Sequence, residues 1–226
     1  HIAHKVPAAV ARSLRKVPPT DVLAADWVER YGKQGAKRKI LYLAVKYDYG
    51  IRERGMSYEE YNFLSSIAEL DVDIVRIDLY TIHQLYGKKA LNAVIKEVVL
   101  KERVDTIMYF HYLDVLDHGM LKEFRDSYGI RTILWLCDDD VRYEETKELV
   151  LCFSQIITTI KHRHEQRKTL GINSYHSQFY ANTRLYRSFR VKKSLDVVFV
   201  GQKFGNRGQY MEFLIRNGIS AHAYGP

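Results

Sequence analysis

The chain has 226 residues, is 46% hydrophobic and 27% charged, and carries only 4 prolines and 2 cysteines. This composition excludes a disordered chain and leaves room for one large globular domain or two small ones. No apolar run approaches the roughly 20 residues of a membrane-spanning helix, and the opening stretch HIAHKVPAAVARSLRKVPP lacks the apolar centre of a secretory signal. Cys137 and Cys152 have neither the number nor the spacing of a disulfide framework or zinc site, so a reducing, cytoplasmic setting is expected.

The formal charge of +8 is concentrated at one end. Residues 1–40 hold nine basic residues (Lys5, Arg12, Arg15, Lys16, Arg30, Lys33, Lys37, Arg38, Lys39) against three acids (Asp21, Asp26, Glu29), and the remainder is nearly balanced. A balanced body argues against nucleic acid as a partner. The basic arm suits peripheral contact with a membrane surface, against the simpler and preferred reading of a solvated, partly helical extension over 1–38. Within it, residues 8–31 suggest a helix broken at Pro18 and Pro19, restarted by Thr20 or Asp21 as a cap and carrying Val22, Leu23, Trp27 and Val28.

The first strand is expected at Lys39–Val45, followed by a loop with Gly50 and Gly55, then a helix that Ser57 caps and Glu60 completes as a capping box. The alternation then repeats. Strands are predicted at 73–79, 105–110, 132–137 and 155–160, and helices from about 88 to 102, 116 to 128, 143 to 151 and 162 to 170, with a short last strand at 175–179. Strand and helix alternating at this spacing imply an α/β fold, a Rossmann-like parallel sheet with helices on both faces, over residues 39–182. No G-x-G-x-x-G fingerprint occurs, so NAD or FAD is not expected.

A basic linker, 183–194, leads to a second unit: strand 195–200, loop GQKFGNRG, helix from about 209 to 217 and strand 219–224. Two strands and one helix cannot bury a parallel core alone, so residues 195–226 read as the incomplete start of a second Rossmann-like domain.

Four stretches, GMSYEEYNFLSSIAEL, ILWLCDDDVRY, QIITTIKHRHEQRKTLGI and DVVFVGQKFGNRGQYMEFLIRNGISAHAYG, resemble the spore-maturation, CgeB-type branch of the GT-B glycosyltransferases over residues 39–226. The resemblance implies an acceptor-side domain followed by the start of a donor-side domain. It also implies transfer of a sugar from a nucleotide-sugar donor to an unidentified acceptor, with no further cofactor and no metal.

The candidate site residues lie at the carboxyl ends of the strands, where open α/β sheets bind ligands. His111 follows the third strand, and its type suits proton transfer from an acceptor hydroxyl. The run ending in Asp138, Asp139 and Asp140 admits three readings. They hold a divalent ion through D-x-D as in GT-A transferases, or Asp138 or Asp139 orients or deprotonates an acceptor without metal, or Asp140 caps the next helix. Gly55 and Ser57 in the first loop are candidates for donor or acceptor contact, against the simpler reading of Ser57 as a cap. In the last loop Gly201, Lys203 and Arg207, ahead of a helix N-terminus, have the parts of an anion site for the donor diphosphate, or of a solvated tight turn. A non-catalytic α/β binding module derived from such an enzyme is the rival reading.

Overall fold

The computed structural model describes residues 18–225. They fall into two compact units, one reaching to Leu185 and the other starting at Tyr186. Among the described residues no helix is long and apolar enough to cross a membrane.

The first unit is a seven-stranded sheet built from β1 (Val28–Gly32), β2 (Lys39–Ala44), β3 (Asp73–Asp78), β4 (Thr106–Phe110), β5 (Arg131–Leu136), β6 (Gln155–Thr158) and β7 (Ser174–His176), in the order β1-β3-β2-β4-β5-β6-β7. Every pairing is parallel except that of β1 with β3. This is the expected α/β, Rossmann-like architecture. Chain direction across the sheet reverses at β2: the next strand goes to one side of it and the one after to the other, so the crevice between β2 and β4 is the topological switch point.

Apolar side chains on both faces of the strands explain the layering. On one face Leu41, Leu43, Val75, Ile77, Ile107 and Leu134 are buried under α1 (Thr20–Trp27), α3 (Leu79–Glu102) and α4 (His118–Asp126), whose Leu23, Leu91, Val94, Val98, Leu121 and Phe124 point inward. Each such leucine or phenylalanine, fully withdrawn from water, contributes about 1.5–3 kcal/mol. On the other face Tyr42, Ile74, Phe110 and Trp135 pack under α2, which opens as a π-helix over Glu59–Leu64 and closes as an α-helix over Ser65–Ile67. The chain returns to this face after β7: the Tyr180 ring lies 5.6 Å from Trp135 and 5.5 Å from Phe63, and Asn182 bonds Asn62, Tyr61 and Ser65.

Two local expectations need correction, and a third is met with an addition. The predicted helical extension ends at Trp27, and Val28–Gly32 joins the sheet as an antiparallel edge strand. Its periodicity was masked by Glu29 and Arg30, which are satisfied by ion pairs: Glu29 with Lys46 and Arg76, Arg30 with Glu102. Of the basic arm, Lys33 and Lys39 are likewise paired with Asp71, Asp73 and Glu102, while residues 1–17, and with them the first predicted helix, lie outside the described residues. The helix expected from Lys88 to Glu102 is present, and across a break at Gly87, where φ is 84°, it is preceded by a helical stretch from Leu79, whose start the sequence did not reveal and where Asp78 accepts the Thr81 N–H. The helix expected over 143–151 divides into α5 (Tyr143–Thr146) and a 3-10 turn, Leu149–Cys152.

The second unit pairs β8 (Val197–Val200) in parallel with β9 (Ala221–Tyr224), joined by α7 (Arg207–Arg216). The remaining helix of the first unit, α6 (Lys161–Thr169), leads from β6 to β7.

Candidate active site

The loops leaving β2 and β4 frame the switch-point crevice. The loop after β2 is braced by a bridge between Tyr47 and Met56 and by two 3-10 turns, Asp48–Gly50 and Arg52–Arg54. Tyr49 sits in the left-handed region at φ 52°, a conformation that costs a non-glycine residue energy and is held here by its neighbours. Gly50 must be glycine: a Cβ there would lie 2.0 Å from the Tyr80 ring. Tyr112, just past β4, makes edge contacts with Tyr49 at 6.4 Å and Tyr80 at 5.7 Å, and the guanidiniums of Arg54 and Arg142 lie over Tyr49 and Tyr112. Arg142 also donates to the Tyr112 carbonyl. The result is a wall of three tyrosines backed by two arginines at the mouth of the sheet.

The three aspartates after β5 go separate ways. Asp138 is exposed. Asp139 is buried, with both carboxylate oxygens taken by the Arg167 guanidinium and one of them also accepting from Thr158 Oγ1 at 2.6 Å. That bidentate pair ties the end of β5 to α6 and holds the buried Asp139 carboxylate against Arg167 and Thr158, a bracing role at a position where a catalytic one was expected. Asp140 does not cap α5, whose N-cap is Arg142; it pairs with His162 at 2.7 Å and Arg163 at 2.8 Å. The D-x-D pair therefore does not converge, and among the described residues no group of three His, Cys, Asp or Glu side chains could hold a metal ion.

A carboxylate that the sequence reading passed over joins Asp138 instead. Glu59, at the start of α2, is half-buried, and its carboxyl is held above the ordinary range by burial first, then by the negative charges of Asp48 and Asp138. Burial, Asp138 and Glu59 together push the Cys137 thiol up to about 11. Glu59, Cys137 and Asp138 thus share one electrostatic neighbourhood at the carboxyl ends of β2 and β5, reached also by Asp48 from the first loop. The available signal was the doubled acid in SYEEY: once Glu60 turns inward, helical geometry turns Glu59 elsewhere.

His111 lies where predicted, at the end of β4, but its chemistry differs. It is buried, and burial followed by the Arg142 charge lowers its pKa to about 4, so the imidazole is neutral near pH 7 and a weak base. The Tyr109 hydroxyl donates to the Leu113 carbonyl at 2.5 Å and lies 3.4 Å from His111 Nδ1. Its hydrogen being committed, Nδ1 is the donor of that contact and Nε2 the lone-pair side, buried without a partner. Ser57 is buried, donates to the Val45 carbonyl at 2.6 Å and accepts the Glu60 N–H at 3.3 Å, so it is a cap and not a ligand contact. The reciprocal half of the capping box is missing because Glu60 bonds Arg76 instead. Gly55 spends its N–H on the Arg52 carbonyl and accepts the Asp48 N–H at its own carbonyl, so its backbone closes the loop where a donor or acceptor contact was expected.

In the second unit, a groove of about 350 Å³ is lined by Phe199, Gly201, Lys203, Arg207 and Gly208 among others. Arg207 opens α7, donates to the Gln202 carbonyl at 2.9 Å and lies over the Phe199 ring. Gly208 admits the Lys203 stem, which a Cβ would meet at 2.7 Å. Lys203 and Arg207 therefore stand together at the N-terminus of a ten-residue helix, the arrangement expected of an anion site. Gly201 contributes differently from expectation: its N–H bonds Tyr224 at 2.8 Å within the sheet, so it shapes the loop without offering a donor. No protein-family model, curated protein or solved structure matches the chain.

Proposed function

We propose that this chain supplies the acceptor-side domain, and part of the donor side, of a GT-B glycosyltransferase of the CgeB-type branch, moving a sugar from a nucleotide-sugar donor to an acceptor hydroxyl. The observation that carries the reading is the half-buried Glu59 carboxyl within the electrostatic reach of Asp138 and Asp48 at the carboxyl edge of the sheet, the edge that also carries the Tyr49, Tyr80 and Tyr112 cluster. A carboxylate with a raised pKa is suited to accept a proton from a hydroxyl as it attacks, while exposed Asp138 orients that hydroxyl. Tyrosine faces suit the C–H face of a sugar ring, and in the second unit, taken by itself, Lys203 and Arg207 suit a diphosphate. In the transfer, the acceptor oxygen bonds the sugar's anomeric carbon, the bond to the diphosphate breaks, and the proton passes to Glu59.

Calorimetric titration with UDP-, GDP- and dTDP-sugars, with and without manganese, tests donor use: binding of one of them without metal is expected. Arg207→Ala should weaken it about tenfold or more, because one charge-assisted contact is lost. Binding of none would leave the non-catalytic module. Glu59→Gln should lower turnover about 10²–10⁴-fold with donor affinity retained; unchanged turnover would remove Glu59 from the mechanism.

A further inference from the structure

Asn182 is the last residue of the first unit that is buried, and from Thr183 to Ser194 every residue is exposed. Only the beginning of this stretch has any turn, and Arg187 to Leu195 belong to no helix or strand. Its sequence, TRLYRSFRVKKS, interleaves basic with apolar residues and contains no acid; none occurs between Glu165 and Asp196. The apolar members are turned to water: Leu185, Tyr186, Phe189 and Val191 are 51%, 60%, 61% and 73% exposed. Arg184 is tied to Glu69, whereas among the described residues Arg187, Arg190, Lys192 and Lys193 have no carboxylate partner.

Exposed tyrosine, phenylalanine and valine on a segment outside any helix or strand gain nothing from water, and four cations without a carboxylate partner within seven residues, Arg187 among them lying over the Phe189 ring, form a local field of one sign. A surface that satisfies both at once is negatively charged with an apolar layer just beneath it. We propose that residues 185–193 are a docking segment for an anionic lipid bilayer, with Arg187, Arg190, Lys192 and Lys193 at the headgroups and Tyr186, Phe189 and Val191 entering the interface. Aromatic rings favour that depth, and basic side chains extend from it to the phosphates. A single-stranded nucleic acid would use the cations and the two rings. It would leave Leu185 and Val191 without a role, and the segment offers only Tyr186 and Ser188 as uncharged polar side chains to read a base edge. The inference stands apart from the reading of the crevice and adds a membrane contact separate from the basic N-terminal arm.

Co-sedimentation of the whole chain with phosphatidylcholine vesicles, with and without phosphatidylserine, tests it. Binding is expected only with phosphatidylserine and should fall steeply with salt. A cation near such a surface is worth about a fivefold gain in partition, so Arg187→Gln, Arg190→Gln, Lys192→Gln and Lys193→Gln together should lower it several-hundred-fold. Tyr186→Ser with Phe189→Ser should also weaken partition while leaving the salt dependence in place. The substituted residues are exposed, so circular dichroism and the thermal midpoint should match the parent. Absence of binding by the parent chain, equal binding by the four-glutamine variant, or capture of single-stranded RNA in place of vesicles would each overturn the proposal.

Discussion

Two pairs of adjacent acids, Glu59–Glu60 and Asp138–Asp139, divide their labour in the same way. In each, the second member is buried against an arginine: Glu60 bonds Arg76 at 2.8 and 3.0 Å, and Asp139 is held by Arg167. The first member of each pair has no arginine partner among the described residues, and the charge of Asp138 acts on Glu59. Neighbouring residues of one type thus have opposite fates, set by which arginine the fold brings up beneath them. The locked acid fixes the backbone from which the other projects. An acid in a sequence marks a site only once its buried partner, or lack of one, is known.

The comparison breaks most sharply at the arginines. Arg167→Met would leave the Asp139 carboxylate buried with only Thr158 to bond it, and an uncompensated buried charge costs about 3–5 kcal/mol. The thermal midpoint should fall by on the order of 10 °C, and replacing Asp139 with Asn in the same chain should recover part of the loss. Arg76→Met should cost less, because Glu60 is already drawn toward its neutral form by burial and Lys46 remains close to both Glu60 and Glu29. Equal losses in the two variants would deny that second source of positive charge its role.

The strands were legible because each is a continuous apolar run bounded by polar loops: KILYLA, TIMYF and RTILWL all fall within a residue or so of the expected positions. The edge strand VERYG was not, since its two charged residues conceal the alternation and their partners, Arg76 and Glu102, lie far away in sequence. The site was half legible. Strand ends locate Asp138 and His111 at the carboxyl edge, but nothing local reveals that Arg167, 28 residues on, claims Asp139, or that burial makes His111 a weak base. The same limit applies to burial itself. Leu41, Leu43 and Ala44 of β2 are fully enclosed, while Val200 of β8, read from an equally apolar run, is 76% exposed, because β8 has a single neighbouring strand.

Smaller effects sharpen the crevice half of the comparison through pH. The Glu59 carboxyl is raised above 4.5 in the folded chain, so the folded state holds that proton more tightly. The stability this contributes is fully present below pH 4.5 and is lost as pH rises through the higher folded value. Glu59→Gln should therefore be more stable than the parent at neutral pH and equal to it in acid, as unfolding in urea at both pH values would show. His111 behaves oppositely: lowered from 6.5 to about 4, it contributes stability above pH 6.5 that disappears as pH falls toward 4. His111→Asn should flatten that acid limb.

The least disruptive variants carry the finest test, because Cys137 reports on both crevice acids. Asp138 is exposed, so Asp138→Asn should change stability by no more than about 0.5 kcal/mol. Yet Asp138 and Glu59 are the charges that, after burial, lift the Cys137 thiol to about 11. Removing either charge should make the thiolate easier to form and move the pH profile of iodoacetamide alkylation at Cys137, followed peptide by peptide to separate it from Cys152, toward lower pH. The double variant should move it further than either single one. A profile moved by Asp138→Asn but not by Glu59→Gln would mean that Glu59 does not share the crevice, and the pairing of the two acids, with the proton transfer built on it, would fail while the fold stood.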